Sequence, residues 1–339
     1  MTTAALSRIS GVHPLWAVEG GRVTISGDGL LSDERPPEVR VGTIPARVAF
    51  ASPHAVTVIV PSGLDGGHTP IRLESAPGET AYVEVGAPIA TGLHLVDNPV
   101  FDPDGNLYVT FSGSRGQQAT VAVYRVRPDG TREPFVTDLP NPTSLTFGPD
   151  GYLYVSSRFD GNVHRVGRDG SVTIHATDLG VPCGIAFGPD GNLFVGDRSG
   201  SILTFVDGRV SQVAAIPPSV AAFHLAFGPD RALYVSAPTL SSRDVIYRVL
   251  PSGAVEEFAA GFGRPQGLAF DRAGSLYVVD AIAGDAALFR IRLDRPHEKE
   301  RILSGGALIG LAFDGEGRMV VASNDTVYRF AATAKPPAA

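Results

Sequence analysis

The chain has a single cysteine, Cys183, among 339 residues. That excludes an intrachain disulfide framework and any site built on Cys-x-x-Cys spacing. A lone thiol suits a reducing compartment. No apolar run approaches the roughly 18 residues that a membrane-spanning helix needs, so no membrane partner is expected. The opening MTTAALSRISGVHPLWAVEGG lacks a basic segment followed by an apolar one. The expected location is therefore the cytoplasm, or outside it if a signal has been removed. There is no basic stripe either: 28 Lys and Arg are interspersed with 35 Asp and Glu for a net charge of −7. Nucleic acid is excluded as an expected partner.

What is present is punctuation and repetition. Forty Gly and 27 Pro residues are spread along the whole length, and hydrophobic residues reach 43%. This composition fits many short strands joined by turns around real cores. One phrase recurs six times: FDPDGNLYV at Phe101–Val109, FGPDGYLYV at Phe147–Val155, FGPDGNLFV at Phe187–Val195, FGPDRALYV at Phe227–Val235, FDRAGSLYV at Phe270–Val278 and FDGEGRMVV at Phe313–Val321. The Phe-to-Phe steps of 46, 40, 40, 43 and 43 residues have the period of a β-propeller. Each repeat reads as an inner strand ending at the Phe, a P-D-G turn, a second strand, a third strand such as AVYRV or VIYRV, and an outer strand. Asp104, Asp150, Asp190 and Asp230 are read as turn formers.

Repeat six stops after its third strand, TVYRF. The segment Pro88–Phe101 parallels Thr173–Phe187, so Ile89–Leu93 reads as an outer strand without a blade of its own. It is expected to complete the last blade and close the ring, which removes exposed sheet edges.

Ahead of the repeats, Gly21–Gly27, Glu38–Gly42, Ala46–Ser52, Ala55–Pro61, Thr69–Ser75 and Thr80–Gly86 alternate like the strands of a small sandwich. The order RISGVHPLWAVEGGRVTISGDGL, VRVGTIPARV, AVTVIVP and TPIRLES resembles an IPT/TIG immunoglobulin-like domain. That resemblance implies a spacer, docking or self-association module. His13, His54 and His68 are scattered and are read as solvated turn residues.

Ligands of a propeller sit over its central channel, where inner strands start and second strands end. Aligned on the Phe, the first set is Asp97, Thr143, Cys183, Phe223, Gln266 and Ile309, with Asn98 and His224 one step on. The second set includes Arg158, Arg198, Asp280 and Asn324. The layout from about residue 89 to 331 resembles NHL-repeat propellers and, in phrases such as RPQGLAF and LYVVD, the SMP-30/gluconolactonase group. The latter resemblance implies a divalent metal, calcium or zinc, held by a Glu, two Asn and an Asp for lactone hydrolysis. Asp97 in DNPVF matches the Glu of that family's phrase and is the one metal-ligand candidate. Cys183, Phe223 and Gln266 depart from the pattern. A rebuilt zinc site from Asp97, Cys183, His224 and Asp280 is one reading, and a Cys183–His224 nucleophile–base pair another.

The expected fold is all-β: an N-terminal immunoglobulin-like sandwich over 7–86, then a six-bladed propeller over 87–331 closed by an N-terminal outer strand, with a disordered tail over 332–339. The leading expectation is a module that binds a small-molecule or protein ligand at the channel mouth without a complete family metal site. Asn98, Thr143, Arg158, Arg198 and Gln266 are its ligand contacts, and self-association runs through the sandwich. The alternative is a lactone or ester hydrolase with a rebuilt metal site, whose catalytic candidates are Asp97, Cys183, His224 and Asp280.

Overall fold

The computed structural model describes residues 7–31, 35–114, 116, 119–221 and 223–330. The tail expected over 332–339 lies outside them. Every named element is a β-strand. The N-terminal layers follow period-two burial: Val23 and Ile25, Val56 and Val58, Val39 and Val41, and Ala81, Val83 and Val85 all turn inward to one core. Strand Ile44–Ser52 pairs with Ala55–Ile59 along one stretch and with Val39–Val41 along another, so it passes from one layer of the sandwich to the other. His13 and His68 lie in strands, not turns, while His54 sits in the exposed turn between Ile44–Ser52 and Ala55–Ile59 and contacts Asp28.

The repeats form a propeller-like ring of antiparallel units. Innermost strands Val100–Phe101, Pro142–Phe147, Pro182–Phe187, His224–Phe227, Pro265–Phe270 and Leu308–Phe313 contact one another in chain order, and the last contacts the first. The recurring phrase is explained by the joints between units. The aromatic residue of each second strand packs edge-on against the Phe of the next repeat: Tyr108 on Phe147, Tyr154 on Phe187, Phe194 on Phe227, Tyr234 on Phe270 and Tyr277 on Phe313. The ring centroids lie 4.8–5.4 Å apart, the range in which T-shaped pairs are favourable. Repeat six has Val320 at this position, and there Val320 and Phe101 share an aliphatic cluster. The turn aspartates act as turn formers: Asp150, Asp190 and Asp230 accept the backbone N–H two residues on. In repeat one that work falls to Asp102 rather than Asp104.

The last unit takes its fourth strand from the segment before the repeats, Ala87–Ala90, which pairs antiparallel with Val327–Arg329. Among the described residues free-standing four-stranded sheets number five, not the six expected. Repeat five has the same strand order, but its outer strand Lys299–Ser304 also pairs in parallel with Trp16–Ala17, which pairs with Ala81–Val85 of the sandwich. The result is one 12-stranded sheet shared by both regions. Trp16 stacks on Phe330 at 4.6 Å, which welds the same junction to repeat six.

Candidate ligand site at the channel mouth

Local backbone irregularity aims the side chains at this site. The inner strands of repeats two, three, five and six each break register near their start, between Pro142 and Leu145, Pro182 and Ile185, Pro265 and Leu268, and Leu308 and Gly310. Such bulges re-aim the residues they contain. Thr143, Cys183, Gln266 and Ile309 sit in them and line a cavity of about 700 Å3. Repeat four has no such break. Its paired strand starts at His224, and Phe223 packs instead over Gly196.

Three arginines, Arg158, Arg198 and Arg264, line the same cavity, and among the described residues no Asp or Glu does. The carboxylates next to two of them are committed to the backbone. Asp197 accepts the Val181 N–H at 2.7 Å and the Ser199 hydroxyl. Asp280 accepts the N–H groups of Gly263 and of Arg264, the latter at 2.7 Å. These bonds fix the loops that carry the arginines. Arg198 does not pair with Asp197; it donates to the carbonyls of Ser219 and Val220. Arg158 donates to the Gly113 carbonyl. Beside it, burial and then repulsion from Arg158 hold His94 below the usual imidazole range.

Under the cavity floor a polar network closes the channel. His224, fully buried, meets Asp97 Oδ1 through Nδ1 at 2.5 Å and Gln266 Oε1 through Nε2 at 3.2 Å. Asp97 Oδ1 also accepts the Asn98 N–H. Asn98 is a brace: its side chain donates to the Leu268 carbonyl and accepts from the Leu311 N–H. Gly267 and Gly310 leave room for it, since a Cβ on either would fall 2.1 Å or 2.7 Å from its Oδ1. Below this layer the channel widens again among the Phe residues of the repeats.

Of the sequence candidates, the fold thus joins Asp97, His224 and Gln266. Cys183 and Asp280 bond elsewhere. The Cys183 thiol donates to the Val181 carbonyl, and burial pushes it up to about 11, so it rests as a thiol. Thr143 lines the cavity with its hydroxyl turned to the Asn141 carbonyl. Among the described residues no group of three His, Cys, Asp or Glu side chains could hold a metal ion. Asp97, tied to an imidazole and an N–H, does not fit the divalent cation that the family resemblance implies.

Sequence reasoning missed Arg264, which lies six residues before its Phe, where the other repeats carry Leu95, Asn141, Val181, Ala221 and Ala307. Inspecting that position as well would have found it. It also missed the contribution of the junction: Gly20 of the N-terminal region lines the cavity together with Gly305 and Gly306.

Comparison with known proteins agrees with this architecture. The IPT/TIG domain family matches residues 7–79. No curated protein matches the chain. Among solved structures, a putative gluconolactonase is similar at 17% identity and a TM-score of 0.60, over 75% of this chain and 94% of that one. Virginiamycin B lyase from Staphylococcus aureus is similar at 18% identity and a TM-score of 0.53, over 72% of this chain and 86% of that one. An auxiliary nutrient binding protein from Bacteroides ovatus is similar at 14% identity and a TM-score of 0.51, over 96% of this chain and 98% of that one. At these identities the likeness to the solved structures is one of fold alone, and the IPT/TIG match concerns the N-terminal domain.

Proposed function

We propose that the chain is a small-molecule-binding propeller whose ligand sits in the channel mouth and whose IPT/TIG domain serves attachment or self-association. The ring is read as six-bladed, with repeat five counted as the blade that the sandwich has captured. The observation that carries the binding reading is the cavity of about 700 Å3 walled by bulged inner strands and closed below by the Asp97–His224–Gln266 network. Such a volume matches ordinary ligand pockets. The closed floor makes it a pocket, not a pore.

A second reading, hydrolysis of a lactone or ester, is favoured by one feature: an imidazole oriented by a carboxylate lies directly behind Gln266 at the pocket floor. Nε2 donates to the Gln266 amide oxygen, so displacing that amide and losing the Nε2 proton to solvent would leave Nε2 able to take a proton from water attacking a carbonyl. The two readings separate in one experiment. Purified protein is screened by thermal shift against small molecules and, in parallel, for turnover of lactones and aryl esters. The binding reading expects hits that vanish when Ala281→Trp fills the cavity, and no turnover. Turnover lost in His224→Ala would replace it with the hydrolase.

A further inference from the structure

We propose that the channel mouth selects an organic anion, a carboxylate on an apolar body, held by Arg198 and Arg264 with Arg158 adding to the positive field. The proposal rests on reading the mouth as a small-molecule site and adds the chemical class of the ligand. Three observations carry it. First, the charge of the wall has one sign among the described residues: three arginines line it and no carboxylate does, while Asp280 spends its oxygens on backbone N–H groups and Asp197 on a backbone N–H and the Ser199 hydroxyl. Second, the Arg198 guanidinium is held in place by neutral acceptors, and the loop that carries Arg264 is held by its backbone. Arg198 rests on two carbonyls, and Asp280 grips the Arg264 backbone. A cation fixed by carbonyls keeps its full charge for a ligand, and the planar fork suits a carboxylate in two-point contact. Third, the rest of the wall is apolar, with Val96, Val181, Val220, Ile282, Leu308 and Ile309 between the arginines. Val220 and Ile282 are exposed at 40% and 44%, so the apolar wall reaches the entrance. The titratable groups below the site, the acid Asp97 and the imidazole His224 bonded to it, are separated from it by Gln266.

The arrangement favours a ligand with its acid group inside and its hydrocarbon or aromatic part along the Val220–Ile282 side. A neutral ligand of the same shape would leave the arginines without a counter-charge while displacing their water, which costs affinity. A cation would be repelled.

The test measures binding by calorimetry of matched probes: naphthalene-2-carboxylate, naphthyl phosphate, naphthalene-2-carboxamide and naphthylmethylammonium, with decanoate and decanol as an aliphatic pair. The expected result is that the anions bind at least tenfold tighter than their neutral counterparts, that the cation does not bind, and that added NaCl weakens only the anions. Arg264→Gln should cost about tenfold in carboxylate affinity. Arg198→Gln should do the same, with Arg198→Lys recovering part of the loss as a check that its loop still folds. A phosphate preferred over the carboxylate would overturn the carboxylate assignment. If no anion binds better than its neutral counterpart, the proposal falls. If in addition the neutral probes bind and are expelled by Ala281→Trp, the reading of the mouth as a small-molecule site survives without it. If no probe binds and Ala281→Trp changes no hit from the wider screen, both fall.

Discussion

Repeats four and five are neighbours with the same grammar, FGPDRALYV and FDRAGSLYV, and they end differently. The outer strand of repeat four, Val255–Phe262, is an edge. It exposes Glu256 and Glu257, charges that keep a free edge from pairing with another chain. The outer strand of repeat five, Lys299–Ser304, is an interior strand because Trp16–Ala17 lies beside it. Its Ile302 and Leu303 are fully buried. Lys299, at its start, reaches back to the carbonyls of Ala260 and Gly261 on repeat four. The same repeat is therefore a rim in one place and a junction in the next. What decides is the side chain brought to it from outside the ring.

The largest test of that contrast is Trp16→Ala. Trp16 is 4% exposed, stacks on Phe330 and heads the two-residue strand that joins the regions. Its loss should cost about 3–5 kcal/mol, the range for emptying a buried large aromatic site. Hydrogen exchange should speed up at Leu303 and Ser304 and stay unchanged along Val255–Phe262. Equal protection of both strands in the variant would show that repeat five does not depend on the junction.

This junction was also the part of the fold least legible in the sequence. The ring was legible because the Phe and the aromatic of the LYV phrase meet across every joint but one, so the contact itself repeats. The closing strand was legible because Pro88–Phe101 copies the outer-to-inner passage of repeat three, but it was placed at Ile89–Leu93 and lies at Ala87–Ala90. A two-residue parallel pairing between Trp16 and Leu303 has no period and no turn signal to announce it. It made five separate sheets out of six repeats. At the mouth, Arg158 and Arg198 could be read from their equivalent places, but the bulges could not. One residue of slip exchanges the faces of a strand. That is why Phe223 was placed with the channel residues although its ring packs over Gly196.

A middle-sized effect is expected from the acid of the repeat-four turn. Asp230 accepts the Tyr234 hydroxyl at 2.9 Å and Arg248 Nη2 at 2.6 Å. Burial alone would raise its pKa, but the bonds from Arg248 and Tyr234 prevail and hold it below 3.8. A depressed carboxylate contributes stability that is present above its unfolded pKa and lost as pH falls through the folded one. Asp230→Asn should therefore destabilise by about 1.5–3 kcal/mol at neutral pH. Its melting temperature should fall less steeply than that of the unmodified chain as pH drops below the usual carboxylate range. The counterpart Asp271 accepts the Ser275 N–H, and the arginine of its repeat, Arg290, donates twice to Glu300. Asp271→Asn should cost less. A larger loss at Asp271 than at Asp230 would mean that the arginine pairing is not what separates the two repeats.

The smallest effects sharpen the comparison most, because they hold position constant. Glu256 and Glu300 face their arginines across the same pair of strands, Arg248 opposite Glu256 and Arg290 opposite Glu300. In repeat four the guanidinium is shared with Asp230, and Glu256 takes one bond at 3.2 Å with its side chain 49% exposed. In repeat five Glu300, 39% exposed, takes two bonds on its Oε2, from Nε at 3.0 Å and Nη2 at 2.5 Å, on an arginine 14% exposed where Arg248 is 30% exposed. Exposed single contacts contribute little and are screened by salt, whereas two-point pairs with a sheltered partner contribute more. Glu256→Gln should thus change stability by less than about 0.5 kcal/mol, and Glu300→Gln by about 1 kcal/mol. Urea midpoints at low and high salt distinguish the two, since only the Glu300 difference should persist when salt is added. If both differences vanish together in salt, the sandwich shelters the backbone of repeat five but not its charges.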